Sequence, residues 1–267
     1  MVSVSSKKTF SGIVALALGM FSTAGTQAGL ISNGDFSQFT SSAPGGGPTQ
    51  INNTSTGGYA SLKDWTVGNT LGSPNTVLNS YAFITQTTGP NAYTFYYPTL
   101  QPQAGTIGLW SNPGAAPSGQ QYAVTLDGYQ GAATLSQTLT GLTAGASYQV
   151  TFDWAAVQYT TKTGNFTEQF EVFFGDSSQT TRLESISSQG HSNWISESFT
   201  FTADAASETL MFLSLGTPSG VPPVGLLSNV NVVASSVPEP SSMLMLGLGA
   251  VCICGIRLRR KQLANAA

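Results

Sequence analysis

Ser147-Tyr148-Gln149-Val150-Thr151-Phe152-Asp153-Trp154 decides the fold of this chain. Large apolar side chains at 148, 150, 152 and 154 alternate with polar ones at 147, 149, 151 and 153. Successive side chains of an extended backbone point to opposite faces, so a period of two means a strand with one dry face and one wet face. The same pattern recurs on either side. Tyr122, Val124 and Leu126 alternate with Ala123, Thr125 and Asp127, and Phe170, Val172 and Phe174 with Gln169 and Glu171. Ile195, Phe199, Phe201 and Ala203 alternate with Ser196, Ser198, Thr200 and Thr202. Leu210 to Leu215 is apolar on both faces, as in a central strand covered on each side, and Leu226 to Val233 is the last strand. Upstream, Tyr81 to Thr87, Ala92 to Tyr97 and Thr106 to Trp110 are β-prone. Gln38 to Ala60, rich in Gly, Ser, Thr, Asn and Pro, reads as a long mobile loop. No helix-periodic segment and no internal repeat interrupts this body. The fold class expected is all-β, an antiparallel two-sheet sandwich.

The chain divides into a leader at 1–28, a body at 29–236 and a tail at 237–267. In the leader, Lys7 and Lys8 precede the apolar run Ile13 to Phe21, and Thr26-Gln27-Ala28 offers a small-x-small cleavage site, as in a secretory signal peptide. In the tail, Val237-Pro238-Glu239-Pro240 is an extended peptide, because each proline lacks an N–H and fixes φ. The uncharged run Ser241 to Ile256 follows. As a helix it spans about 24 Å against a hydrocarbon core of about 30 Å, and flanking arginines extend the span by snorkelling. It is therefore expected as a transmembrane helix, stopped by the basic cluster Arg257, Arg259, Arg260 and Lys261, which stays cytoplasmic. Cys252 and Cys254, the two cysteines, lie in this run, so the body has neither disulfides nor thiolate metal sites.

Charge narrows the partners. The body has three bases (Lys63, Lys162, Arg182) against eleven acids, a net charge of −8 compared with −3 for the whole chain. Nucleic acid is excluded as a partner, since phosphate binding needs a basic face. No Gly-x-Ser-x-Gly elbow occurs, and His191 is the only histidine, so neither a serine-type triad nor a zinc site is supported. Glu168 and Glu171 are three apart on one strand and point to opposite faces; Asp127 and Asp153 read as solvated surface charges. Gln137, on an apolar face between Leu135 and Leu139, reads as a satisfied core amide.

The three-part tail (Val-Pro-Glu-Pro, a Gly/Leu-rich helix and a basic terminus) resembles the PEP-CTERM sorting signal of Gram-negative bacteria. That resemblance implies Val237, Pro238, Glu239 and Pro240 as the element read by a membrane-embedded exosortase. It also implies a transient inner-membrane anchor, and then a cell-surface or extracellular protein of exopolysaccharide- or biofilm-forming bacteria. The body resembles galactose-binding-like jelly rolls. The carriers are Asn33-Gly34-Asp35-Phe36, Asp64-Trp65-Thr66-Val67, Asp127-Gly128 followed by Leu135-Ser136-Gln137-Thr138-Leu139, and Ser198-Phe199-Thr200-Phe201-Thr202-Ala203. Three departures stand out: Ser37 where the family has glutamate, Asp64 where it has glycine, and Ser228 in Leu227-Ser228-Asn229-Val230 where it has an aspartate. The family's calcium ligands would map to Asp35 with Asn33 nearby, and Ca2+ is the ion such oxygens would hold. Flat rings suit the C–H face of a sugar, and Tyr93, Tyr96, Tyr97 and Trp65 are the expected glycan-binding residues, with Trp110 and Trp194 as further candidates. The leading expectation is a non-enzymatic exported protein that binds extracellular polysaccharide. The alternatives are a purely structural or adhesive matrix protein, and a carboxylate-dependent glycoside hydrolase if two acids share an open cleft.

Overall fold

A computed structural model describes residues 29–53, 57–69, 81–98, 104–128, 133–218, 221 and 223–235. The expected signal peptide, the Val237–Pro240 element, the 241–256 span and the basic cluster lie outside the described residues. Among the described residues no helix is long and apolar enough to cross a membrane.

The strands are β1 (Phe39–Ser41), β2 (Ala60–Leu62), β3 (Thr66–Asn69), β4 (Ala82–Gln86), β5 (Thr94–Tyr97), β6 (Gly105–Gly108), β7 (Tyr122–Asp127) and β8 (Ala133–Thr140). They continue with β9 (Ser147–Gln158), β10 (Phe166–Phe174), β11 (Ser177–Thr180), β12 (Glu184–Ile186), β13 (Ile195–Thr202), β14 (Ser207–Thr217) and β15 (Pro223–Ala234). One sheet runs β11-β10-β14-β8-β3, with β12 beside β11 on the same edge of β10. The other runs β13-β9-β15-β7-β4. Every ladder in them is antiparallel. From β7 to β10, and again from β13 to β15, successive strands alternate between the two sheets, which is the jelly-roll arrangement.

The alternating apolar sets meet between the sheets. Val150, Phe152 and Trp154 of β9 face Phe170, Val172 and Phe174 of β10, with Phe212 of β14 among them. Rings pack edge to face there: Phe152 on Phe212 at 5.1 Å and Trp154 on Phe170 at 5.8 Å. Each such buried ring contributes about 1.5–3 kcal/mol. The central strand β14 lies where its two-faced apolar sequence placed it, between β8 and β10. Its outward Met211 and Leu215 are only half-buried, so the cover expected on that face is partial.

A third layer was not foreseen. The β5–β6 hairpin lies over the outer face of the β13-β9-β15-β7-β4 sheet and closes a second core of Phe83, Tyr93, Phe95, Ile107, Val157, Tyr159 and Leu226. This is why β9 continues through Ala155–Gln158 with both faces dry. It also overturns the reading of Asp127 and Asp153 as solvated charges, since they are 4% and 3% exposed. Asp153 is satisfied inside: Ser196 Oγ donates to Oδ1 (2.5 Å) and Asn229 Nδ2 to Oδ2 (2.9 Å). Asn229 is in the left-handed region (φ 53°) at the bulge of β15, which aims its amide at the acid.

The 38–60 stretch is likewise no free loop. β1 pairs with β2, and isolated bridges tie Thr49 to Tyr96, Gln50 to Phe83 and Ile51 to Ala60. Ile51 is fully buried in the main core.

Candidate functional site

The N-terminal motif forms a hydrogen-bonded clamp. Asn33 Nδ2 donates to Gln38 O (2.9 Å) and Lys63 O (3.0 Å), while its Oδ1 accepts from Gln38 N (2.9 Å). That uses both amide hydrogens and one of the two lone pairs of Oδ1. Asp35 Oδ1 accepts from Ser37 N (3.3 Å). No group of three His, Cys, Asp or Glu that could hold a metal occurs among the described residues. Trp65 is 4% exposed, donates Nε1 to Asn33 O (3.0 Å) and packs on Phe36 at 5.5 Å. Gln137 is the satisfied amide expected: Oε1 accepts from Ser32 N, and Nε2 donates to Ser32 O and Asp64 O. Gly34 passes so close to the end of β15 that a Cβ would lie 1.9 Å from Val230 O. The Asn-Gly and Asp-Trp motifs thus fasten the chain's start to the end of the sandwich. Asn33→Ala orphans the partners of three hydrogen bonds and should lower unfolding free energy by about 2–3 kcal/mol in a urea titration.

The four expected glycan rings do not form one exposed row. Trp65 is in the main core and Tyr93, at 2% exposure, is in the second. Burial pushes the Tyr93 phenol up to about 12, partly offset by its bond to Trp194, and its OH donates to Gly114 O. Tyr96 and Tyr97 are half-buried; Tyr97 packs edge-on against Phe83 (5.3 Å) and Tyr81 (5.9 Å). The aromatic density at 93–97 is what holds the third layer down, so burial rather than display is the correction for Trp65 and Tyr93.

Two described rings are exposed: Tyr81 (36%), which packs on Tyr97, and, elsewhere in the fold, Trp110. Trp110 is 41% exposed, on the loop that leaves β6, and its Nε1 donates to Lys162 O (2.5 Å). The loop is held from several sides. Trp110 N donates to Gln158 O (3.0 Å), Trp194 Nε1 to Gly114 O (3.1 Å), and His191 Nδ1 lies 2.8 Å from Ser111 Oγ. Trp194 and His191 are half-buried and Lys162 is exposed. An exposed indole held by its own N–H, on a loop that Trp194 and His191 also bind, can stack on a sugar ring. Sequence reasoning found these tryptophans but ranked them below the tyrosines, because ring density along the chain is a poor guide to exposure.

A buried carboxyl pair lies at one end of the sandwich, on β7 and β10. Asp127 is close enough for its charge to act on Glu168, and both are buried. Ser214 Oγ is 2.9 Å from both Glu168 Oε1 and Leu126 O. One hydroxyl hydrogen cannot serve two acceptors, so the geometry is satisfied when Glu168 is protonated, donates to Ser214 and lets Ser214 donate to Leu126 O. Burial raises the Glu168 carboxyl well above its ordinary range and the charge of Asp127 adds to this, against the Ser214 hydrogen bond. Glu168 Oε2 sits so near Gly128 that a Cβ there would be 2.8 Å away. A glycosidase needs its two carboxyls in an open cleft; these two are enclosed. A groove of about 310 Å³ between Phe166, Ile186 and Pro218 has no ionisable side chain in its described lining.

Residues 112–224 match a family described as a protein of unknown function (DUF642), and residues 236–261 match the PEP-CTERM protein-sorting motif. No curated protein matches the chain. Among solved structures it is similar to TmCBM61 in complex with β-1,4-galactotriose, at 12% identity and a TM-score of 0.35, over 65% of this chain and 90% of that one. It is similar to the CBM22-1 xylan-binding domain of Paenibacillus barcinonensis, at 12% identity and 0.30, over 57% and 92%. It is also similar to the K1 cleaved adhesin domain of Lys-gingipain from Porphyromonas gingivalis, at 11% identity and 0.37, over 65% and 92%. At that level of superposition, function has to be argued from this chain's own residues. The chain thus carries, behind a jelly-roll β-sandwich body, a match to the PEP-CTERM protein-sorting motif.

Proposed function

We propose that this is an exported, non-catalytic polysaccharide-binding protein whose contact point is the Trp110 loop. In this reading the 236–261 motif directs the chain to an exosortase at the inner membrane, and the sandwich is then displayed at the cell surface or outside it. The observation that carries the binding half is Trp110 itself. A large apolar ring normally hides, yet this one is 41% exposed while its N–H is tied to Lys162 O. The hydrogen bond fixes the ring before a ligand arrives, which reduces the entropy lost on stacking. The enclosed Asp127–Glu168 pair argues against the hydrolase alternative.

Affinity electrophoresis through gels containing extracellular polysaccharide tests the proposal. The wild-type body should be retarded, and Trp110→Ala should weaken binding roughly thirtyfold, the equivalent of about 2 kcal/mol for a stacking anchor. Equal retardation of both proteins, or of neither, would overturn it in favour of the purely structural or adhesive reading.

A further inference from the structure

We infer that the Trp110 loop selects acidic polysaccharides, those bearing uronate carboxylates, over neutral ones. The inference rests on the binding role proposed for that loop and specifies what it binds. Its basis is where the charges are not. The body carries eleven acids against three bases, yet the three segments that build the site, 104–121, 155–167 and 185–196, contain no Asp or Glu at all. What they contain is Lys162 and His191. Both are anchored at the site by backbone or ring contacts: Lys162 O accepts from Trp110 Nε1 (2.5 Å), and His191 Nδ1 meets Ser111 Oγ (2.8 Å).

The nearest acids in sequence are withdrawn from the patch. Asp153 is 3% exposed and has an acceptor bond on each carboxylate oxygen, from Ser196 and Asn229. Glu197 pairs across to Phe152, so it belongs to the opposite face of the sheet from Ser196 and Asp153. Glu184 is held by Arg182 Nε at 2.6 Å, whereas Lys162 makes no ion pair among the described residues. In a molecule that repels anions over most of its surface, this is a cationic opening around a stacking ring. Because the Trp110 indole is bonded to the backbone of Lys162 itself, a polymer with one carboxylate per sugar that stacks on the ring comes within reach of the Lys162 side chain. Complementary charge at an exposed site of this kind chiefly sets selectivity and is screened by salt.

Polygalacturonate and its methyl ester share a backbone and differ in charge, so they are the probes. At low salt the protein should bind polygalacturonate roughly threefold to fivefold more tightly than the ester, the effect of one exposed charge contact at Lys162 with His191 adding a hydrogen-bonding group. Lys162→Gln with His191→Gln should bring the two affinities together, and 1 M NaCl should do the same to the wild type. Trp110→Ala should lose both polymers. Equal wild-type affinity for the two polymers, or a preference that survives Lys162→Gln with His191→Gln, overturns the selectivity. Binding to neither polymer overturns it too, and a neutral glucan held through Trp110 would then leave the binding role intact.

Discussion

Glu168→Gln should make the protein more stable at neutral pH and leave its stability unchanged near pH 4. Few buried-carboxylate substitutions carry that sign, and the reason is the proton. Burial among β7, β10 and β14, with Asp127 adding, raises the Glu168 carboxyl well above its ordinary value of 4.5. Between the ordinary and the raised value the folded chain holds a proton that the unfolded chain has released. Stability therefore falls as pH rises through that window, by up to about 1.4 kcal/mol, or tenfold in the unfolding constant, for each pH unit. Below the ordinary value both states are protonated and the group is silent. Glutamine keeps the shape, donates to Ser214 as the protonated acid does, and has nothing to ionise. Unfolding midpoints in urea from pH 4 to pH 8 should slope downward for the wild type and run flatter for Glu168→Gln, with the curves meeting at the acidic end. A variant less stable at every pH would mean that Glu168 is held as a carboxylate, and parallel slopes would mean that the pH dependence comes from other groups.

How far the chain could be read follows from what each residue's neighbours in sequence say about its neighbours in space. The strands from Tyr122 onward were legible because their period of two is imposed by the core between the sheets, and β7 runs over Tyr122–Asp127 as the alternation marks it. Ile51 was missed inside a Gly/Ser/Thr-rich stretch, although it is the one large aliphatic residue between Phe39 and Tyr59 and that isolation was the available signal. β1 and β2 are three residues each, too short to show any period. The third layer was illegible for a different reason. Thr125 and Asp127 are polar, so their face reads as wet, yet Thr125 Oγ1 meets Tyr159 OH at 3.0 Å under the hairpin. A polar side chain with a built-in partner looks the same in sequence as one facing water. The same ambiguity applies to the rings, because Tyr93 and Trp65 look as available as Trp110 until their partners are known.

Phe212 and Trp110 put that ambiguity to a direct test, with the larger loss expected at Phe212. Phe212→Ala should cost about 3–5 kcal/mol of unfolding free energy, the range for deleting a ring from a packed core. Phe212 is fully buried on the central strand β14 and its ring meets Phe152 at 5.1 Å, Phe170 at 6.3 Å and Trp65 at 6.5 Å. It touches β9, β10 and the N-terminal clamp at once, so backbone relaxation toward one wall of the cavity opens the others. Trp110→Ala removes a larger side chain from a position that is 41% exposed and has one indole hydrogen bond, and should cost under about 1 kcal/mol. Equilibrium urea unfolding of the two variants beside the wild type gives both numbers. The binding assay should rank them the opposite way, with Phe212→Ala retaining polysaccharide affinity wherever it is still folded and Trp110→Ala losing it. A Trp110→Ala protein as destabilised as Phe212→Ala would show that the exposed indole braces the fold, and the sugar-stacking role assigned to it would fall with that result.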